Sequence, residues 1–346
     1  MFKQMAESKG IVGLTNIGNT CYGNATLQAL RHQVDLTIFL LQENHKKILS
    51  KKEPNEQTIL LEKYSDLVHH MWKTENKYEK THEFWSHMIP AAKKAGFDHF
   101  SFPQAHDSHE FLVFLLDTFH EALANPVKMV IKETTKGQAR EALDFWKKSF
   151  EKTYSPFVDL VFGLQRKSIC CTECKKESVS WETLNMFKVS VPKLTSSTNP
   201  VELLDLMASE GSSESIDDYS CDSCSPKRTK ADITHTMWRL GNWVIVVLKR
   251  IENNGRRINT PVNIPLTTTF ERIFHPSSPE LSGKSKYELF ATINHHGSSG
   301  GGHYTSQAKH PVTGEWSFYD DEHTRSLSEP NLDPSVYIVM FRRVVG

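Results

Sequence analysis

The sequence predicts an α+β fold, because its first third reads as helix and the remainder reads mainly as strand. Apolar residues recur at spacings of three and four through residues 21–33, 58–72 and 106–123. From about residue 157 onward the chain changes to short runs of β-branched and aromatic residues, and two cysteine pairs interrupt this half. We therefore expect a helical lobe, a strand-rich lobe and a cysteine-bearing projection within the latter.

The clearest elements of each half can be placed along the chain. In the helix at 106–123, the apolar stripe comprises Phe111, Leu112, Leu115, Leu116 and Phe119. Strands are predicted at 178–191, 243–248, 287–294 and 336–341. Residues 194–215 are rich in Ser and Thr and contain Pro200 and Gly211, which predicts a mobile connection with a short helix at 201–207.

Composition and charge exclude several classes of function. With 346 residues, 38% of them hydrophobic, the chain can build a core of its own. Lys plus Arg and Asp plus Glu both number 41, so the zero net charge argues against a nucleic-acid or lipid partner. Residues 1–9 read as a short tail without a signal peptide, and no apolar run is long enough to span a membrane. We expect a soluble intracellular protein, cytoplasmic or nuclear.

The six cysteines are too few and too clustered for a secreted disulfide scaffold. Four of them form two Cys-x-x-Cys pairs, Cys171 with Cys174 and Cys221 with Cys224, and 46 residues separate the two pairs. Two such hooks suit a tetrahedral zinc ion, and four sulfur ligands leave no position open for water. The sequence therefore predicts a structural zinc site, with Cys170 as an alternative ligand.

Cys21 stands alone, in the segment Gly-Leu-Thr-Asn-Ile-Gly-Asn-Thr-Cys-Tyr-Gly-Asn-Ala-Thr-Leu-Gln-Ala-Leu at 13–30. A polar turn leads here into an apolar helical pattern, so Cys21 is predicted at the start of a helix with Thr20 or Asn19 as its N-cap. Free amide groups and the helix dipole favour a thiolate at such a position. A buried structural cysteine remains the alternative unless a base lies within reach.

The candidate base is His303, which follows a glycine-rich run at 297–302. That run is either a flexible hairpin tip or a loop that lets the backbone approach a ligand closely. A thiol nucleophile needs an imidazole to take its proton, and the imidazole needs an acceptor that fixes its tautomer. Cys21, His303 and Asp320 can fill these three roles, because Asp320 follows on the next strand-like segment.

These segments resemble the cysteine and histidine boxes of the ubiquitin-specific proteases, which are papain-like deubiquitinases. Residues 13–30 follow the first box, with Gly23 and Ala25 as departures, and 295–309 follow the second. The resemblance implies that Cys21 is the nucleophile and His303 the base. The family's segment W-x-x-F-D/N-D places Asp320 as the third member, with Tyr319 in place of Phe, and Asp321 as a supporting second acid.

Further site residues follow from the same resemblance. Asn16 matches the family's oxyanion donor, although an Asn beside a glycine is often a turn residue. The segment 104–112 resembles the family's stretch beside the channel for the basic, diglycine-ended tail of ubiquitin, with Ala105 where the family has Gln. An alternative for Asp107 and Glu110 is a helix capping box. The residues implied to contact ubiquitin are Gln104, Asp107, Glu110, His295 and Tyr304.

The resemblance also implies a domain plan and a function. One catalytic domain at 10–344 is expected, with a helical thumb at about 10–155, zinc-ribbon fingers at about 156–250 that grip ubiquitin, and an antiparallel β palm at about 251–344 with some earlier strands. The implied activity is hydrolysis after the C-terminal glycine of ubiquitin through a thioester, without a cofactor for the chemistry. The partners would be ubiquitin and ubiquitinated proteins, and an activating protein. The alternative function is a ubiquitin-binding scaffold with weak or partner-dependent activity.

Overall fold

The helices precede most of the strands, as the apolar spacing predicts. The computed structural model describes residues 10–100, 104–193, 199–211, 214–252, 254–283, 285–298 and 301–344. The helices in these residues are α1 (Cys21–Leu30), α2 (Val34–Leu41), α3 (Asn44–Leu49), α4 (Glu56–Met71), α5 (His82–Lys94), α6 (Ser108–Leu123), α7 (Gly137–Phe150), α8 (Pro156–Leu160), α9 (Leu203–Glu210) and α10 (Glu280–Gly283).

Strands dominate from residue 163 onward. They are β1 (Gly13–Leu14), β2 (Tyr78–Glu79), β3 (Gly163–Cys171), β4 (Glu177–Leu184), β5 (Phe187–Ser190), β6 (Val201–Glu202), β7 (Glu214–Ser220), β8 (Arg228–Arg239), β9 (Trp243–Lys249), β10 (Val262–Asn263), β11 (Thr267–Thr268), β12 (Lys286–Ser298), β13 (Gly301–Lys309), β14 (Trp316–Asp320), β15 (His323–Leu327) and β16 (Val336–Val344).

The three predicted long helices are present, with ends that differ by a few residues. The last of them begins at Ser108 rather than at 106, because the Asp107 carboxylate accepts the amides of His109 at 2.8 Å and Glu110 at 3.2 Å and so caps the helix. Its predicted apolar stripe is buried. The short helix expected at 201–207 lies at 203–210, while residues 194–198 and 212–213 of that connection lie outside the described residues.

All ten residues of helix α1 are buried. It packs against β13 on one side and α6 on the other. A Cβ on Gly23 would lie 2.2 Å from the ring of Trp85, so only glycine lets that indole pack against this helix. The helix that begins at Cys21 is thus held from several directions.

An eight-stranded sheet forms the β lobe beside this helix. The strand order is β15, β14, β13, β12, β16, β9, β5, and the short strand β11 pairs with the first residues of β12. Neighbours are antiparallel except β5 and β9, which pair in parallel. An antiparallel palm was expected, so this parallel pair is a departure from the prediction. It arises because the chain leaves the sheet after β5, passes through β7 and β8 of another sheet, and returns to this sheet at β9 in the same direction.

A separate four-stranded sheet, in the order β4, β3, β8, β7, carries the cysteine pairs at its end. The single strand predicted at 178–191 is in fact two strands, one in each sheet, with a break at Asn185 and Met186 where the chain passes between them. Among the described residues, no helix combines the length and apolar character needed to cross a membrane.

Candidate active site

His303 and Asp320 face one another across neighbouring strands. The antiparallel pairing of β13 with β14 brings their side chains together, and His303 Nε2 lies 2.5 Å from Asp320 Oδ1. Both side chains remain partly exposed, at 44% and 39%. Because the carboxylate can only accept, Nε2 carries the hydrogen in the neutral ring and Nδ1 is left as the acceptor. Asp320 thus orients an imidazole whose second nitrogen is free to take a proton.

Cys21 opens α1 and Thr20 occupies the N-cap position, as the sequence predicts, but the Thr20 side chain does not cap the helix. Thr20 makes no side-chain cap hydrogen bond, because its hydroxyl donates to Asn16 Oδ1 at 3.2 Å and accepts the amide of Ile17 at 3.2 Å. The thiolate is not favoured either. Burial of Cys21, which is 6% exposed, raises the pKa of its thiol, and the backbone of Tyr304 and Tyr22 only partly offsets this rise.

The nucleophile and base candidates lie on packed elements without being hydrogen-bonded. Helix α1 packs against β13, and the backbone of Tyr304, the residue after His303, contacts the Cys21 thiol. Within the described parts of the chain, no hydrogen bond joins the Cys21 sulfur to the His303 ring. Catalytic hydrogen bonds are often long in ligand-free structures and tighten when substrate binds.

Asn16 is held by residues from the far end of the chain. Its Nδ2 donates to Asp321 Oδ2 at 2.8 Å, while its Oδ1 accepts the backbone amides of Gly18 and Thr20. Asp321 Oδ1 accepts from Asn24 Nδ2 at 2.7 Å, so this acid braces two amides. Burial raises the pKa of Asp321. The second hydrogen on Asn16 Nδ2 remains for a further acceptor.

Asp107 joins α6 to the β lobe. Its carboxylate accepts the hydroxyls of Tyr304 at 3.2 Å and Tyr337 at 3.0 Å, in addition to the two helix amides. The Glu110 side chain pairs instead with His99 at 3.1 Å, so the capping box is only half formed. Gln104 is exposed and lies before the helix. Three of the predicted contact residues therefore lie along the start of α6.

His295 stands beside Tyr304, with ring centroids 4.5 Å apart. Its Nδ1 lies 3.1 Å from Arg257 Nη1, and because arginine only donates, the neutral ring carries its hydrogen on Nε2. Burial lowers the pKa of His295, and the positive charge of Arg257 adds to the effect. The ring is therefore held neutral between the arginine and the tyrosine.

The four predicted metal ligands lie together. The sulfur atoms of Cys171, Cys174, Cys221 and Cys224 all lie within 4.8 Å of one another. The Cys174 and Cys221 sulfurs are 3.5 Å apart, and those of Cys171 and Cys224 are 3.9 Å apart. These four sulfurs can surround one metal ion. Cys170 lies outside the cluster, which makes the alternative register unnecessary.

Three residues of this region were not singled out from the sequence. Asn24 belongs to the same box as Cys21, so the motif contained a signal for it. Tyr337 and Arg257 occupy an ordinary strand pattern and a charged turn, where nothing local marks them. They became visible only when folding placed Tyr337 against Asp107 and Arg257 against His295.

Comparison with known proteins connects this geometry to a family. The family model described as ubiquitin carboxyl-terminal hydrolase matches residues 12–341. The fruit fly Drosophila melanogaster protein named ubiquitin carboxyl-terminal hydrolase Usp2 is 30% identical over 348 residues, covering 97% of this chain and 35% of that protein. The human ubiquitin carboxyl-terminal hydrolase 2 is 27% identical and covers 97% and 55%, so the chain spans about half or less of these relatives.

Solved structures agree with the fold. A SAGA DUB module bound to monoubiquitin includes a chain that matches with a TM-score of 0.76 at 18% identity, covering 98% of this chain and 70% of that one. The corresponding module bound to ubiquitin aldehyde matches with a TM-score of 0.73. Because the family model matches nearly the whole chain, this protein belongs to the ubiquitin carboxyl-terminal hydrolase family.

Proposed function

We propose that this chain is a cysteine hydrolase that cleaves isopeptide or peptide bonds after the C-terminal glycine of ubiquitin. The observation that carries the proposal is the His303–Asp320 pair on strands packed against the helix that begins at Cys21, within a chain matched by this family over residues 12–341. A nucleophile, a base and an orienting acid from three separate segments are the parts that acyl transfer by a thiol requires.

In the proposed reaction, His303 carries the protons that move among the thiol, the leaving amine and water. Its Nδ1 takes the proton from Cys21 as the sulfur attacks the carbonyl carbon of the terminal glycine. The same proton passes to the amine of the leaving lysine or peptide when the carbon–nitrogen bond breaks, which leaves a thioester. Water then attacks the thioester and gives a proton to His303, which returns it to the Cys21 sulfur as the carbon–sulfur bond breaks and the glycine carboxylate is released. Asp320 keeps the ring in the required tautomer.

Asn16 is the proposed donor to the oxyanion of each tetrahedral intermediate. One hydrogen on its Nδ2 is engaged by Asp321, and the other can meet an oxygen near the sulfur. Asp321 would then act on Asn16 rather than directly on the base. This fits its two amide contacts, with Asn16 and Asn24. Such pre-set donors need no rearrangement while the charge forms, which is how they lower the barrier.

The start of α6 and the end of β12 are proposed to form the channel for the tail of ubiquitin. Glu110 is 45% exposed and could exchange its histidine partner for a cationic side chain of the tail. Asp107, His295 and Tyr304 form the connected wall beside it. Gln104 lies at its outer end. We also propose that the thumb spans about 10–155, the fingers about 156–250, and the palm about 251–344 with some earlier strands.

The first test is hydrolysis of ubiquitin that carries a fluorogenic amide at its C-terminus. We expect turnover that depends on a thiol reductant, whereas a fluorogenic peptide of the last few ubiquitin residues should be cleaved far more slowly, because it lacks the globular body that the fingers would hold. Binding of ubiquitin without turnover, in the presence and absence of candidate activators, would instead support the scaffold function.

A need for an activator is consistent with the ligand-free geometry. The Cys21 thiol has a raised pKa and no hydrogen bond to His303 in the described residues, so a closer approach of the ring to the sulfur would favour attack. Binding of ubiquitin or of a second protein can supply it, provided that the ligand prefers the aligned state. An intracellular setting, cytoplasmic or nuclear, is proposed because ubiquitin conjugates occur there.

The four-cysteine cluster is proposed to hold one structural zinc ion. Zinc–sulfur bonds of about 2.3 Å in a tetrahedron place neighbouring sulfurs about 3.8 Å apart, close to the observed 3.5 and 3.9 Å. The ion would tie the turn after β3 to the turn between β7 and β8, where few apolar side chains pack. With four protein ligands it has no open position, so its effect is on folding of the fingers.

Elemental analysis should find about one zinc per chain. We expect Cys221→Ser to lose the metal and to lower the melting temperature, because removal of a ligand exposes an incomplete site. Cys170→Ser is the matched control, since its sulfur lies outside the cluster and its loss should leave the zinc content unchanged. A folded wild-type preparation free of metal would contradict the proposal.

A further inference from the structure

A buried polar cluster ties the end of α1 to the strand that carries Asp320. This cluster, here called the Tyr319 cluster, consists of Arg31, His32 and Tyr319 with the carbonyl of Gly10. The Tyr319 hydroxyl lies 3.1 Å from His32 Nε2 and 3.0 Å from the Gly10 oxygen. Arg31, His32 and Tyr319 are 0%, 1% and 2% exposed. Polar groups buried this deeply hold one arrangement strongly, because any other leaves them without partners.

The direction of each hydrogen bond can be worked out. His32 Nδ1 lies 2.7 Å from the carbonyl of Gln28, which only accepts, so Nδ1 carries the hydrogen. Burial and the charge of Arg31 lower the pKa of His32 well below its usual range, so the ring is neutral and Nε2 is an acceptor. The single hydrogen of the Tyr319 hydroxyl therefore has two acceptors within reach, the Gly10 carbonyl and His32 Nε2, while Arg31 Nη2 also donates to the Gly10 carbonyl at 2.6 Å.

Arg31 adds a second constraint on Tyr319. Its guanidinium lies between two rings, 5.1 Å from the centroid of Trp72 and 5.2 Å from that of Tyr319. No carboxylate in the described ranges forms an ion pair with it. A buried cation without an acid depends on its aromatic neighbours and its hydrogen bonds. The Tyr319 ring is thus held by its hydroxyl at one end and by a cation on its face.

We propose that Tyr319 is a positioning residue that sets Asp320, and through it His303, against the helix of the nucleophile. Tyr319 fixes the backbone of β14 through its contacts with Gly10 and His32, and the next residue of the strand, Asp320, holds the His303 ring. The contact with His32 places this anchor directly after the helix that Cys21 begins. The inference rests on the proposed function and specifies which buried contact aligns its site.

The test removes one hydroxyl. Tyr319→Phe should lower kcat on fluorogenic ubiquitin about threefold to tenfold, with KM changed less than about twofold, because one positioning hydrogen bond is lost and no binding contact is touched. The matched control is Tyr287→Phe. Tyr287 is equally buried and donates to the Gly241 carbonyl at 3.0 Å, but it lies eight residues from His295 along β12. The Tyr287→Phe protein should lose about as much stability as Tyr319→Phe does and should keep the wild-type kcat.

Two variants of His32 test whether the hydroxyl acts through this ring. His32→Gln keeps an acceptor near the hydroxyl and should retain most of the kcat. His32→Leu removes the ring acceptor but leaves the Gly10 carbonyl, so it should lower kcat measurably but by no more than Tyr319→Phe does. The double variant Tyr319→Phe with His32→Leu should be no slower than Tyr319→Phe alone, since the hydroxyl that contacts His32 is already absent. Additive losses would overturn the proposed route through His32.

A readout without ubiquitin separates this inference from the proposed function. Alkylation of Cys21 by chloroacetamide, followed by mass spectrometry, reports how well the imidazole activates the thiol. Tyr319→Phe should slow it, and Tyr287→Phe should not, even if ubiquitin proves not to be the substrate. If Tyr319→Phe matches Tyr287→Phe in both kcat and alkylation, or if only KM changes, Tyr319 is structural and the inference fails.

Discussion

Wild-type protein is expected to form a covalent adduct with ubiquitin that carries a C-terminal electrophile, and Cys21→Ala is expected to form none. The sulfur is the atom that would take the acyl group, and alanine offers nothing that can replace it. Turnover should fall by at least about 10⁴-fold, because the other members of such a site contribute little without the nucleophile. Intact mass of the adduct and turnover of fluorogenic ubiquitin measure both effects.

The control for this result is Cys170→Ala. Cys170 is a partly exposed thiol in the β lobe, away from the helix of Cys21 and outside the metal cluster. It should label at the wild-type rate. Cys21→Ala removes a single buried sulfur atom, so the protein should keep its fold and its affinity for ubiquitin. Calorimetry can check both. Labelling that survives in Cys21→Ala would exclude this residue as the nucleophile.

His303→Ala is expected to lower kcat by about 10³-fold while leaving KM largely unchanged, within the range found for loss of a general base. The reason is that every proton transfer of the proposed reaction uses the same ring. The raised pKa of the Cys21 thiol strengthens the expectation, because without a base very little of it would ionise near neutral pH. Steady-state kinetics on fluorogenic ubiquitin give both constants.

His296→Ala tests whether the correct histidine has been chosen. His296 pairs with His303 across β12 and β13 and is exposed, but no hydrogen bond connects it to an acid in the described residues. Its replacement should change kcat only a few fold. A loss of the same size for both variants would mean that the hairpin, rather than the His303 ring, is what the reaction needs.

Local patterns predicted most of the elements and named the candidate residues for the chemistry. Apolar spacing located α4 and α6 to within a few residues, and the two Cys-x-x-Cys hooks predicted a cluster that folding does assemble. The motifs named Cys21, His303 and Asp320, because a short segment around each carries the pattern. Where the expectation for Cys21 was wrong, the error was physical. The helix start favours a thiolate, but burial outweighs it.

The contacts of Asp321 show the limit of such patterns. From the motif it was a supporting acid beside the base, yet its carboxylate holds the amides of Asn16 and Asn24, about 300 residues earlier in the chain. Likewise, Asp107 was predicted either to contact ubiquitin or to cap a helix. Only folding brings the hydroxyls of Tyr304 and Tyr337 to its carboxylate. Sequence spacing carries no information on which distant side chain fills the space beside a given group.

The sequence by itself determined the α+β class, the order of helical and strand-rich parts, and the residue types available for thiol chemistry and metal binding. These properties follow from local periodicity and local motifs, which depend on neighbours a few residues away. The tertiary structure alone decided the burial of Cys21, which raises the pKa of its thiol, the partners of Asp321 and the contact of Tyr319 with His32. Such properties depend on burial and on pairs from opposite ends of the chain, and these exist only when the chain is packed.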